Sequence, residues 1–222
     1  MPNAMHTECG AVVALWRYPV KSMMGEELQT AQVRDHGLLG DRAYALLDNA
    51  DGKVATAKNP RKWPHLFAFR ASFLEPSGRS AQVPPVRITL PDGTSITSEQ
   101  SDCNQALSNA LNRGVTLAVT VSGPGAITPS AASEPWTVQA EEFWPDIDGL
   151  DYRDTVTDFT LPTGTFFDCA TIHLLTTATL NRLRDAYPQG RFEVQRFRPN
   201  IVVDLAGGAQ GFVEHAWIGH TG

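Results

Sequence analysis

Four short stretches hold residues suited to gripping an anion. In "RYPVKSMMGEEL" (17–28), Pro19 interrupts an apolar run, and Lys21 and Ser22 follow it. Proline donates no ladder hydrogen bond, so it ends a strand or bends it outward and leaves the next residues able to face a ligand. A lysine supplies a point charge for phosphate, and a serine hydroxyl supplies a directed hydrogen bond. The plain alternative is a turn with a solvated lysine. In "HGLLGDR" (36–42), Arg42 could fork onto a phosphate, or pair with Asp41 to fix a glycine-flanked turn. In "RFRPNIVVD" (196–204), Arg196 and Arg198 stand one residue apart, so on a strand they point to one face. Two such arginines are costly to bury unless an anion neutralises them, and Pro199 and Asn200 come next. The alternative is one arginine in a salt bridge and one in solvent. In "HLLTTATL" (173–180), Thr176, Thr177 and Thr179 lie at a helix start, where free N–H groups and the helix dipole favour an anion. An ordinary threonine cap is the commoner use of such residues.

Other groups point less clearly to chemistry. Asp146, Asp148, Asp151, Asp154 and Asp158 lack a calcium-loop spacing and read as a solvated acidic stretch. His173, between Ile172 and Leu174, reads as a satisfied, partly buried histidine, and His215 and His220 make no convincing metal pair. Cys169 follows Asp168 in "FFDCAT", which disfavours a thiolate, so it reads as structural. Gly-rich nucleotide fingerprints, GxSxG and HExxH are all absent.

These residues need elements to position them. "GAVVALWRY" (10–18) reads as a strand, and residues 28–33 as a second. After the "HGLLGDR" turn, "AYALLD" (43–48) is a third strand, closed by the Asp-Gly hairpin signal of "NADGK". "FAFRASFL" (67–74) alternates, and "VRITL", "PDGT" and "SITS" form a strand, turn and strand. The first helix spans Asp102 to Asn112, with Ser101 or Asp102 as cap and Gly114 as stop, before the strand "VTLAVTV" (115–121). Residues 122–136, rich in Ser, Pro, Gly and Ala, read as a mobile connection. A second helix runs from about Thr176 to Tyr187, its apolar face carried by Leu180, Leu183, Ala186 and Tyr187. Residues 192–204 then read as a strand interrupted at Arg-Pro-Asn and resumed at Ile-Val-Val. The pattern is mainly β with α+β character.

Composition narrows the class. At 222 residues the chain can form one large domain or two small ones. A formal net charge of −6 argues against nucleic acid or an anionic membrane surface as partner, while allowing a local basic pocket. The three cysteines are far apart and lack CxxC spacing, which fits reduced thiols in a cytoplasmic protein better than disulfides or a closed zinc site. The first residues read as a disordered polar tail (1–9) or an expression remnant, with no basic-then-apolar secretory leader and no membrane-spanning run.

Taken in order, "LWRYPVKSMMGEEL", "HGLLGDRAYALLD", "FFDCATIHLLTTATLNRL", "RFRPNIVVD" and "GFVEHAWIG" resemble the MOSC domain proteins, named for the molybdenum-cofactor sulfurase C-terminal domain. The resemblance covers about residues 10–75 and 160–219. It implies an N-terminal β-barrel-like domain over 10–121, packed with a MOSC β-barrel over 122–222, with two to three helices in all. It implies a pyranopterin molybdenum cofactor, and with it molybdenum ion and pyridoxal phosphate binding. Carried over residue by residue, Lys21, Ser22 and Arg42 would bind the pterin or its phosphate, Thr176 and Thr177 would offer helix-start donors, and Arg198 and Asn200 would complete the site. No catalytic side chain is implied, because the metal performs the redox step. The expected activity is an oxidoreductase that reduces N-hydroxylated or N-oxide small molecules, served by an electron-donor protein or domain. The alternative is a cofactor or sulfur carrier without turnover, and a third reading is a plain anion-binding module. The resemblance places the molybdenum-ligand cysteine beyond Gly222, so either the MOSC domain is cut short at its C-terminal end or the chain is a member without that ligand, and it is expected to hold molybdenum poorly alone.

Overall fold

The computed structural model describes residues 10–34, 37–75, 83–120, 139–141, 158–160, 166–168 and 170–219. In chain order its strands are Gly10–Arg17 (β1), Glu26–Leu28 (β2), Val33–Arg34 (β3), Gly37–Leu38 (β4), Tyr44–Asp48 (β5), Arg70–Phe73 (β6), Val86–Thr89 (β7), Ser95–Thr97 (β8), Val115–Val119 (β9), Gln139–Glu141 (β10), Asp158–Thr160 (β11), Leu174–Thr176 (β12) and Ile201–Leu205 (β13). The α-helices are Cys103–Leu111 (α1), Thr177–Ala186 (α2) and Val194–Phe197 (α3). The expected connection at 122–136, the acidic residues Asp146 to Asp154, and Cys9, Cys169 and His220 lie outside the described residues. No helix among the described residues is long and apolar enough to cross a membrane.

The chain divides into two compact units. One comprises Arg17–Glu26 and Val33–Thr171. Its core gathers Val20, Met23, Leu46, Trp63, Leu66, Phe69, Ile88 and Leu107, all buried. β5 pairs antiparallel with β9 from Tyr44↔Val119 to Asp48↔Val115, and β6, β7 and β8 form an antiparallel meander. β5 is buried along its whole length, so it reads as a continuous apolar run that ends at a carboxylate. That carboxylate, Asp48, receives Lys62 at 2.9 Å and Arg113 at 3.1 Å, and both cations also lie over the Trp63 ring. α1 turns Cys103 and Leu107 inward. Its stop is Asn112, in the left-handed region at φ 49°, rather than Gly114; asparagine tolerates that conformation, and the N–H groups of Asn112 and Arg113 close the last turn.

The other unit comprises Met1–Trp16, Glu27–Gln32 and Ile172–Gly222. Its sheet runs β12-β13-β1-β2, with β12 parallel to β13 and β13 antiparallel to β1. The parallel pair needs a crossover, and α2 and α3 supply it. Asn200, almost fully buried, stitches the three strands' ends together. Its Oδ1 accepts the His173 N–H at 3.0 Å, its Nδ2 donates to the Trp16 carbonyl at 3.3 Å, and its own carbonyl accepts the Trp16 N–H at 2.8 Å.

Several expectations need correction. The strand expected over 28–33 is two short pieces, β2 and β3, with residues 29–32 between them. The alternating run from Phe67 begins instead with a 3-10 turn, Leu66–Ala68, that leaves Phe67 exposed. Tyr187 does not extend the buried face of α2; it is 59% exposed. Phe192 to Phe197 is not a strand, because α3 forms there, supported by the Glu193–Arg196 pair three residues apart and by the stacked rings of Phe192 and Phe197. The chain is mainly β with a few helices, yet among the described residues its sheets have two to four strands and no closed barrel forms.

Leu107, fully buried on α1, tests the packing of the larger unit. Leu107→Ala should lower the unfolding free energy by about 2–5 kcal/mol in a denaturant titration, through lost burial and the cavity left behind.

Candidate functional site

Within the larger unit, three of the expected anion contacts are built from two turns. β1 ends at Arg17, and Pro19 to Lys21 then run beside Tyr44: the Tyr44 N–H donates to the Pro19 carbonyl at 2.9 Å and the Lys21 N–H to the Tyr44 carbonyl at 2.8 Å. Pro19 thus uses its acceptor in a place where no donor is asked of it. Ser22 lies in the left-handed region at φ 63°, which turns the chain sharply after Lys21. Gly25 completes the turn because a Cβ there would come within 2.0 Å of the Arg17 carbonyl oxygen.

This path carries Lys21 inward, and only 4% of its side chain is exposed. An ammonium so placed must find acceptors. Lys21 Nζ donates to the Phe166 carbonyl at 3.1 Å and to the Asp168 carboxylate. Lys58 Nζ approaches the other oxygen of Asp168 at 3.2 Å. Ser22 Oγ accepts the Ala57 N–H at 3.1 Å, one residue before Lys58. Phe166 packs against Ala45, Leu47 and Val54, which fixes the backbone that offers both the carbonyl and Asp168.

Arg42 is built by the second turn. It too is left-handed, at φ 48°, and its N–H donates to the Tyr18 carbonyl at 2.8 Å. Its guanidinium bonds the Asp41 carboxylate and lies 4.9 Å from the centre of the Tyr18 ring and 5.9 Å from that of Phe167. The other Asp41 oxygen accepts the Tyr18 N–H at 2.7 Å. The Asp41–Arg42 pair therefore fixes the turn, and it presents a cation against two aromatic faces.

The remaining expected residues belong to the smaller unit. Thr176 is the N-cap of α2: its hydroxyl oxygen accepts the Thr179 N–H at 3.1 Å. The same hydroxyl donates to one oxygen of Glu214 at 3.1 Å, and Thr179 Oγ1 donates to the other at 2.6 Å. The hydroxyl of Thr177 donates to Asp204. Arg196 and Arg198 do not share a strand face. Arg196 is half exposed and bonds Glu193 at 2.6 Å, whereas Arg198 is the left-handed residue that ends α3 before Pro199. Pro199 disfavours helical backbone at the residue before it, and the helix ends there at Arg198. Asn200 is committed to the strand ends described above.

Residue types alone missed three participants: Asp168, Lys58 and Glu214. Asp168 was legible only as an acid beside Cys169, and "ATAKNP" holds no pattern that marks Lys58.

The larger unit's donor set suits an oxyanion. Among the described residues, Lys21 and Lys58 share the Asp168 carboxylate and Arg42 bonds Asp41. Burial pushes the Cys103 thiol above its ordinary range, and among the described residues no three His, Cys, Asp or Glu side chains gather.

Residues 9–136 match the family model of the MOSC N-terminal beta barrel domain. No curated protein matches the chain.

Burial raises the pKa of Asp168, but the charges and hydrogen bonds of Lys21 and Lys58 outweigh it and hold the carboxyl below the ordinary aspartate range. A carboxyl depressed on folding stabilises the fold above its unfolded pKa of about 3.9 and loses that contribution as pH falls through the folded value. The stability difference between the wild type and Asp168→Asn should therefore be constant above about pH 5 and shrink below about pH 4 in urea titrations. A difference that stays unchanged to pH 3 would show that the ion pair contributes nothing.

Proposed function

Because the chain belongs to the MOSC N-terminal beta barrel domain family, we propose that it binds a molybdenum cofactor and works as an oxidoreductase of the MOSC type on N-hydroxylated or N-oxide compounds. The observation that carries the reading is Lys21, an ammonium drawn into the protein beside Lys58. Lys21 and Arg42 would hold the anionic end of the pterin, and the left-handed turn at Ser22 would keep Lys21 directed inward. Pyridoxal phosphate offers the same phosphate chemistry to these cations, and pterin detection distinguishes the two. When bound, the molybdenum cofactor supplies the two-electron chemistry that cleaves an N–O bond, and an electron-donor protein or domain renews it. The chain's own part is to bind and orient.

A second reading is a cofactor or sulfur carrier without turnover. It is favoured by the place of Cys103, which packs into the apolar core of the larger unit and so does not present its sulfur to a bound metal.

The test is oxidative release of a fluorescent pterin from purified protein, followed by turnover of a hydroxylamine substrate with a chemical reductant. Lys21→Met and Arg42→Ala should each retain less than about a fifth of the wild-type pterin while melting cooperatively, since a lost charge-assisted contact weakens binding by about 1.5–3 kcal/mol. Pterin without turnover would select the carrier. Wild-type protein without pterin, under conditions of cofactor synthesis, would overturn the reading.

A further inference from the structure

Lys21 and Lys58 meet one carboxylate, and that carboxylate differs from the others in its surroundings. Asp41 is fully enclosed, with 0% of its side chain exposed, and also accepts a backbone N–H from Tyr18, so it is part of the fold. Asp168 keeps a third of its side chain exposed, and among the described residues its oxygens meet two ammonium groups, one on each. The backbone on its N-terminal side is held independently by buried Phe166 and Phe167. Its side chain can therefore rotate away without moving the segment that carries it. Lys21 would then keep the Phe166 carbonyl at 3.1 Å as an anchor. Lys58 has 35% of its side chain exposed, so it can follow an incoming group.

Among the described residues the two ammonium groups meet at this one carboxylate. A phosphate ester offers them more acceptor oxygens and more negative charge than a carboxylate does.

We propose that Asp168 is an exchangeable internal counter-ion: it occupies the Lys21–Lys58 pair and gives way to the phosphate of an incoming ligand, with Lys58 as a second phosphate contact. This rests on the reading of Lys21 as an anion contact, and it assigns Lys58 and Asp168 roles in loading that same site. The exchange keeps Lys21 paired at every stage. It also ties ligand entry to competition with a carboxylate, so affinity is set partly by a residue that never needs to touch the bound ligand.

The test uses inorganic phosphate and the full chain, with no pterin present. Isothermal titration should show Asp168→Asn binding phosphate at least about fivefold more tightly than the wild type, because the competing charge is gone and the shape is kept. Lys58→Met, at a partly exposed position, should weaken wild-type binding by at least about fivefold and leave the melting temperature close to that of the wild type. If Asp168→Asn does not fold, the Lys58→Met arm decides: unchanged phosphate affinity overturns the proposal. Equal or weaker binding by a folded Asp168→Asn also overturns it. So does wild-type protein that binds no phosphate together with an Asp168→Asn variant that binds none. None of these outcomes depends on whether pterin is found, so this proposal can fail while the cofactor reading stands, and the reverse.

Discussion

Lys21 carries its ammonium group into a place that excludes nearly all water, and the surrounding residues answer that constraint. A lone buried ammonium would cost several kcal/mol. The Phe166 carbonyl and the Asp168 carboxylate offset this cost, and they come from a segment about 145 residues along the chain. That segment must therefore return to the turn that follows Pro19. The left-handed backbone at Ser22, the missing Cβ at Gly25 and the apolar seat of Phe166 all serve this one meeting.

The same logic recurs at the other anion-suited residues, each within its own unit. Arg42 is matched by Asp41, the hydroxyls of Thr176 and Thr179 by Glu214, and Thr177 by Asp204. Donors suited to an external anion are thus held in place by internal carboxylates. This has a physical advantage, since buried donors stay satisfied whatever else is bound. It also sets a competition for any anionic ligand. Partly exposed Asp168 is the member best placed to yield, and fully enclosed Asp41 is the least.

How much of this was legible in the sequence depended on range. Local signals read well: Pro19 ending a strand, Asp-Gly at Asp51–Gly52 turning the chain, and the apolar spacing of α1. Such signals act over a few residues and need no partner. The run from Phe192 misled, because its apolar–polar order Phe-Glu-Val-Gln also suits a helical turn when Glu193 can reach Arg196. The stop of α1 was misplaced by two residues because asparagine competes with glycine for the left-handed position. The adjacent Asp41–Arg42 pair was in view, but the distant carboxylate partners were beyond reach. Nothing near Lys21 names Asp168, and nothing near Thr176 names Glu214, because those pairings are set by the return of distant segments. Residue types suggested which groups suit an anion; only the fold shows what already meets them.

A buried ion pair such as Lys21 and Asp168 should be energetically coupled inside the fold. A double-mutant cycle on Lys21→Met and Asp168→Asn, measured by urea unfolding at neutral pH, tests it most directly. The expected coupling is about 1 kcal/mol or more, with the double variant more stable than the sum of the single losses implies, because a buried ion pair hurts most when only one partner is removed. Additive losses, with coupling within about 0.3 kcal/mol of zero, would contradict it.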